Sequence, residues 1–518
     1  MVDGKTEVMP ADVQSGKDPS YFRGGRFQRR SFNVTGRHRE FLRARKERDR
    51  RFELSRFKSA GSVFLVALFA RLLLFCAVLP HPEVIHQPDS RIYTSLSDTL
   101  HEHGAFFPRG EATPSYLVRT PGYPLFLYLT SLIFGDFQLG VIFVQILLDS
   151  LTCVIIFYLS EMVRRGTGYI SGYLASLNLG MITYSHFILS DTLFLFVFSL
   201  ASLAFFRVCA DPQWKWFWTV GLGLGASTIV RPVGMYLPLL FIVFYFLSCL
   251  RVGKGNVRSA LARSMVIAVL YIFILSPWMF YVHSMYGRFA LTAQAGEHLL
   301  QYVVPSVMQH SRGIPLREGM NIVEEDFRQR ASLAGMTPQG MNPFDVSEFQ
   351  TGMAVEYLRS EPKSAILKAW MVGAAKNLFS PAIIDLTYLL RIERPHFFNM
   401  EGRTSLDRAW NFIGSMRGWF GWMVIGAMAI LTLSRTVQLW GFIQAVRTKR
   451  RDALLLLLII GYFLLVSGPV GYAKYRLPFE PFLIVLLAIG CQDLYERIHR
   501  KSSPIDPLSR RLQIPEHG

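Results

Sequence analysis

Cysteine is scarce. The chain has five in 518 residues (Cys76, Cys153, Cys209, Cys249 and Cys491), all in or beside apolar runs. Neither a disulfide framework nor a zinc motif is readable from that usage. Charge is scarce too: Asp, Glu, Lys and Arg make up 18% of the chain, against 51% hydrophobic and 14% aromatic residues. A soluble protein of this size carries more charge, so that class is excluded. The apolar runs lack a two-residue alternation, which excludes a membrane β-barrel. No cleavable leader is readable, because the first apolar run starts only near residue 60. No internal repeat stands out.

What the chain does have is long apolar helices. A span needs roughly 20 apolar residues. Segments 60–80, 138–160, 168–186, 190–209, 216–232, 234–250, 260–282, 417–434, 453–470 and 479–495 qualify. The expected fold is an all-α polytopic membrane protein, a bundle of about ten to twelve helices with an external loop domain. Its expected parts are a basic, disordered tail over 1–58 and a first membrane part over 59–282, whose external loop is 81–121. A loop domain over 283–416, a second membrane part over 417–497 and a short tail over 498–518 complete it.

The positive charge, net +18, is uneven: fourteen Lys or Arg lie between Arg23 and Lys58. Beside a membrane helix such a run attracts anionic lipid and holds the N-terminus in the cytoplasm, so it does not indicate nucleic acid. Segment 122–135 is apolar but short. If it dips and returns, "EMVRRGTG", "RVGKGNVRSALAR", "RTKRRD" and "ERIHRK" all fall in the cytoplasm. The external side then holds loop 81–121, the turns near Asp191 and Arg231, "GYAKYRLP" and the segment 283–416. Segment 362–381 is expected to lie along the interface with its lysines reaching outward. Trp278 and Tyr281 read as part of an interfacial belt.

Several charged residues gather at the expected external rim. Asp89 and Tyr93 lie one turn apart on a helix starting near Pro88. The plain reading of Asp89 is an N-cap. Arg119 opens "RTPGYP", Arg231 sits in "VRPVG", and Lys474 and Arg476 in "KYRLPFEP". A single boundary arginine is explained by snorkelling, but several converging ones suit a phosphate. Asp191 is a cap or the second member of a carboxylate pair. His81, Glu83, His86 and Asp89 form a loop rich in ligand types but without a metal spacing, so no metal residues are assigned and a divalent ion is left open. His186 and Tyr184 are candidates to line a sugar, with buried packing as the plain alternative.

The ordered set "PDSRIY", "RTPGYP", "SDTLFLF", "GLGLGASTIVRPVGMYLP", "SPWMFYVHSMYGRFALTAQAGEHLL" and "YRLPFEP" resembles the membrane glycosyltransferases of the C superfamily. It is similar above all to protein O-mannosyltransferases and to the aminoarabinose or galacturonic acid transferases. The resemblance covers about residues 60–495. It implies transfer of a sugar from a polyprenyl-phosphate donor to an extracytoplasmic glycan, lipid or protein. By position it implies Asp89 as the reaction-centre acid, Tyr93 as the tyrosine one turn on and Arg119 as the basic residue before the proline-tyrosine turn. From the residues themselves, Asp191 is the candidate second catalytic acid, Arg119, Arg231, Lys474 and Arg476 are the candidates to hold the donor phosphate, and Tyr93, Arg91, Tyr123 and His186 are those to line donor or acceptor. The length and the lack of a retention signal point to a bacterial inner membrane. Ser90 stands where many relatives have a second acid, and Ile92 where many have arginine. The competing class is a transporter or flippase of lipid-linked sugars. Transporters keep their charges near the midplane, often in repeated halves.

Overall fold

The computed structural model describes residues 58–107, 118–135, 138–252, 257–336, 341–393, 400, 402, 405–415 and 419–502. The expectations for the tail segments 1–57 and 503–518 lie outside these residues. Every described segment with regular structure is helical, and seven helices are long and apolar enough to cross a membrane.

The first, α1 (Lys58–Val78), leads into α2 (Pro88–His103). The start of α2 is fixed by Pro88 and by Ser90, whose hydroxyl accepts from the Gln87 amide at 2.8 Å. Gly104 ends it with φ 64°, the left-handed conformation glycine takes most readily. Helix α3 (Gly122–Phe134) has 13 residues. At 1.5 Å per residue that is about 20 Å, short of a hydrocarbon core of about 30 Å. The apolar stretch 122–135 forms this one short helix, with Tyr123, Pro124, Leu127 and Thr130 buried.

Helix α4 (Gln138–Val163) is a full-length span. The segment expected as a span over 168–186 is not one continuous helix. It breaks into α5 (Gly168–Ser176) and α6 (Leu179–Tyr184). Asn178 causes the break: its side-chain oxygen caps the Met181 amide at 3.0 Å and its amide donates to Glu480 at 2.8 Å. Next come α7 (Asp191–Ala210), α8 (Trp214–Val230), α9 (Leu237–Val252) and α10 (Val257–Tyr286). Trp278 is not in an exposed belt. It is 5% exposed, its indole donates to the Leu291 carbonyl at 2.8 Å, and Phe106 packs edge-on against it.

Segment 283–416 builds α11 (Ala295–His298), α12 (Val304–Ser311), α13 (Leu316–Leu333) and α14 (Pro343–Ser360). These share a separate small core of Leu300, Val304, Met308, Val323, Phe327, Val346 and Met353. Helices α15 (Lys363–Phe379), α16 (Ile383–Leu389) and α17 (Ser405–Ser415) follow. The expected spans 417–434 and 453–470 lie within one helical run, α18 (Trp419–Val466), kinked at Lys449. A 3-10 turn over Ala473–Phe479 leads into α19 (Glu480–Ser502).

Helix α19 orients the bundle. At its start Glu480 pairs with Arg476, and 16 residues on Glu496 accepts from Arg164 at 3.1 Å. Lys449 donates to the Met162 carbonyl at that second end. The basic turns "EMVRRG" and "RTKRRD" thus meet at the end of the bundle opposite Arg476.

Candidate functional site

Asp89 lies in the first turn of α2. The Ser90 hydroxyl donates to the Ile188 carbonyl at 2.7 Å, docking this turn beside the start of α7. Arg119 reaches the same place from another direction. Its segment is held by Thr292, whose hydroxyl donates to the Val118 carbonyl at 2.6 Å, and by Thr120, which donates to the Val230 carbonyl at 3.3 Å. The next turn sits hard against the end of α8. A Cβ on Gly122 would fall 2.7 Å from the Ile229 carbonyl oxygen, so only glycine lets the two backbones approach. That approach brings the Arg119 segment beside Arg231, which ends α8 just before Pro232.

The charges converge on Asp89. Lys474, on the 3-10 turn before α19, donates to one carboxylate oxygen at 3.1 Å, and Arg119 lies 4.0 Å from the other. Arg231 pairs with Asp191, the first residue of α7, whose side chain is 2% exposed. Burial opposes ionisation of Asp89, but Lys474 and then Arg119 outweigh it and hold the carboxyl below its usual pKa. The centre is thus two carboxylates among three cations, all half-buried or buried, where Coulomb energies exceed those in water.

Tyr93 stands one turn beyond Asp89. Its hydroxyl meets Ser190 at 3.1 Å, and its ring packs edge-on against Tyr123 at 4.9 Å. Tyr123 itself is fully buried and donates to Gln145 at 2.8 Å; Gln145 in turn donates to the Ser185 and Phe187 carbonyls. It therefore braces Tyr93 from behind and does not line the opening. Arg91 is exposed on α2.

Two expected residues are engaged elsewhere. Arg476 is 5% exposed, pairs with Glu480 at 2.7 Å and donates to the Asn377, Leu378 and Ser380 carbonyls. These bonds brace α15 against α19, and none of them goes to Asp89. His186 is buried with Nδ1 at the Ile182 carbonyl (2.7 Å) and Nε2 at the Arg71 carbonyl (3.1 Å). It packs the core in the bland role. The loop His81, Glu83, His86 and Asp89 does not gather: among the described residues no three His, Cys, Asp or Glu side chains come close enough to hold a metal. His81 instead meets Arg391 and Glu83.

Sequence reasoning missed a wall of the site. With its amide oxygen turned toward Arg119, Gln294 accepts from that guanidinium. One turn on, burial raises the Glu297 pKa against the pull of Arg119, and the Glu324 and Asp89 charges add to the rise. Burial and Arg119 together lower the His298 pKa. Burial, then the Glu297 and Asp89 charges, raise that of Tyr302. Gln294, Glu297 and His298 lie within "LTAQAGEHLL", the end of a stretch that carries part of the resemblance, and Tyr302 lies two residues beyond it.

Residues 118–281 match the family model described as dolichyl-phosphate-mannose-protein mannosyltransferase, a segment that contains Arg119, Asp191 and Arg231. The fold is similar to that of the archaeal oligosaccharyltransferase AglB from Archaeoglobus fulgidus, solved with an inhibitory peptide and a dolichol-phosphate. The TM-score is 0.50 at 13% identity, over 88% of this chain and 52% of that one. This chain thus spans about half the length of that structure. ArnT from Cupriavidus metallidurans, solved with undecaprenyl phosphate, aligns over 86% of this chain and 82% of that one, at 15% identity and TM-score 0.35. No curated relative matches the chain. The likeness is one of fold: a helical bundle similar to that of AglB.

Proposed function

We propose that the chain is an integral-membrane glycosyltransferase. It moves a hexosyl or pentosyl group from a polyprenyl-phosphate donor to a hydroxyl or amine of an extracytoplasmic glycan, lipid or protein. The observation that carries this reading is one carboxylate, Asp89, held between Lys474 at 3.1 Å and Arg119 at 4.0 Å at the mouth of the bundle.

The acceptor oxygen or nitrogen attacks the anomeric carbon. The bond from that carbon to the phosphate oxygen breaks, and its electron pair leaves with the phosphate. The acceptor proton passes to Asp89, acting as general base. One displacement inverts the anomeric centre. A phosphate leaving group is a weak base and needs no acid; it needs preorganised positive charge, which Lys474, Arg119 and Arg231 supply. Asp191 positions Arg231. Asp89 is a poor base while two cations hold it ionised. A donor phosphate draws the same cations to itself, so donor binding raises the basicity of Asp89 at the moment it is needed.

The arrangement of the bundle supports an extracytoplasmic site. The basic turns at Arg164 and Lys449 lie at the end of α19 away from Arg476, and Lys and Arg favour the cytoplasmic side. The basic N-terminal tail then meets anionic lipid of the bacterial inner membrane.

Purified protein incubated with labelled polyprenyl-phosphate sugars and envelope extract tests the reading. A labelled acceptor product supports it. Label entering sealed vesicles without a new product would instead identify a transporter or flippase.

A further inference from the structure

Asp385 is a buried acid with no part in the centre described above. It lies in the first turn of α16 and is 7% exposed. Each of its carboxylate oxygens takes one tyrosine hydroxyl: Tyr184, on α6, donates to one at 2.7 Å, and Tyr472 donates to the other. Taking a carboxylate out of water is costly, and hydrogen bonds to the charged oxygens offset that cost. An apolar side chain would fill the same space without the cost. What the acid adds is direction, because it fixes two hydroxyls from two different elements.

Tyr472 starts the turn that carries Lys474. It caps the 3-10 turn Ala473–Phe479, and its carbonyl accepts from the Tyr475 amide at 3.1 Å, a bond that closes over Lys474. Tyr472 is held at two points: its hydroxyl is on Asp385, and its amide donates to the Asn377 side chain at 2.9 Å. On the far side of Lys474, Arg476 is bonded to Glu480 and to the Asn377 and Leu378 carbonyls. Lys474 thus stands between two anchored residues, and Asp385 holds one of them.

The same short helix reaches the segment that carries Asp89. Tyr388, one turn beyond Asp385, donates to the His86 carbonyl at 3.3 Å. His86 ends the turn Pro82–Ile85 and stands three residues before Asp89. The Ile188 amide donates to the Ile85 carbonyl at 3.0 Å, and the Ser90 hydroxyl donates to the Ile188 carbonyl, so both sides of Asp89 are tied to the chain between α6 and α7. Helix α16 therefore bonds to both supports of the Asp89–Lys474 pair.

We infer that Asp385 is a positioning residue of the donor site. Through Tyr472 it sets where the Lys474 ammonium lies, and with it the 3.1 Å contact to Asp89 and the reach toward a donor phosphate. The inference rests on the donor site proposed above and adds to it a residue that acts through another side chain.

Equilibrium binding of undecaprenyl phosphate to the full chain, held in nanodiscs of zwitterionic lipid, tests this. Asp385→Asn keeps the shape and removes the charge; Tyr472→Phe removes the hydroxyl. Each is measured alone, together, and in the Lys474→Met background, with the melting midpoint of every sample. Each alone should weaken binding by about tenfold, the lower end of the loss for a hydrogen bond to a charged group. The two together should cost no more than either one. In Lys474→Met each should change affinity by less than about twofold, because the group they position is gone. A purely structural defect would lower affinity equally in both backgrounds, and that result overturns the inference. So does wild-type affinity in folded Asp385→Asn and Tyr472→Phe. A wild type that binds, follows this pattern and transfers no sugar refutes glycosyl transfer alone; a wild type that does not bind undecaprenyl phosphate overturns both.

Discussion

Lys474 donates to the Asp89 carboxylate at 3.1 Å across 385 residues of sequence. The two lie on opposite sides of the molecule's chain path, one after α1 and one before α19, and the fold closes the circuit between them. The relationship makes Lys474 the cation most directly able to pass from a carboxylate to a donor phosphate.

Lys474→Met should therefore weaken donor binding first. A hydrogen bond between charged groups contributes about 1.5–3 kcal/mol, or roughly 10- to 150-fold in affinity. Equilibrium binding of a polyprenyl phosphate to the purified variant checks this; unchanged affinity contradicts the assignment.

The same contact sets a pH dependence. The Asp89 pKa is lowered below the usual carboxylate value, so the ionised form persists as pH falls. The stability it contributes is present above the unfolded-state pKa and is lost as pH drops through the lower folded value. The acidic limb of the kcat/KM profile, which reports the enzyme before donor binds, should lie below the ordinary carboxylate range in wild type. In Lys474→Met it should move upward, because the largest favourable charge is gone. A profile that does not move removes Lys474 from the environment of Asp89.

Arg476 should behave differently from Lys474, although the two are two residues apart. Its pair with Glu480 is almost sealed, with side chains 6% and 7% exposed. Removing one partner of a buried pair costs about 3–5 kcal/mol, because the other charge is stranded. Arg476→Met should lower the melting midpoint and expression, and Arg476→Met/Glu480→Met should recover part of the loss. A variant of normal stability with a selective donor defect would return Arg476 to the phosphate.

Glu297 faces Arg119 from the loop domain. Glu297→Gln should tighten donor binding several-fold, since it removes a negative charge that competes with the donor phosphate for Arg119 and leaves Lys474 untouched. Steady-state kinetics with each substrate varied in turn decides this.

Much of this centre was legible because its charges sit at helix ends, where apolar runs stop. Asp89, Arg119, Asp191, Arg231 and Lys474 each close or open such a run, and the structure brings all five together. The exception, Arg476, was misread although its partner stands four residues on, a spacing that a helical turn closes. The segment 168–186, expected as one span, is divided at one residue: hydropathy averages over Asn178, whereas its cap and its bond to Glu480 end one helix and begin another. Gln294, Glu297 and His298 lie in a stretch that carries part of the resemblance but were not singled out, because neither local periodicity nor composition records the fold that brings them to Arg119.

The most direct test of the account is single-turnover transfer from a labelled polyprenyl-phosphate sugar by Asp89→Asn beside wild type, with donor binding measured on the same samples. Loss of a general base should slow transfer by about 10²- to 10⁴-fold while donor affinity stays equal or tightens. Turnover by Asp89→Asn at the wild-type rate would contradict the central claim.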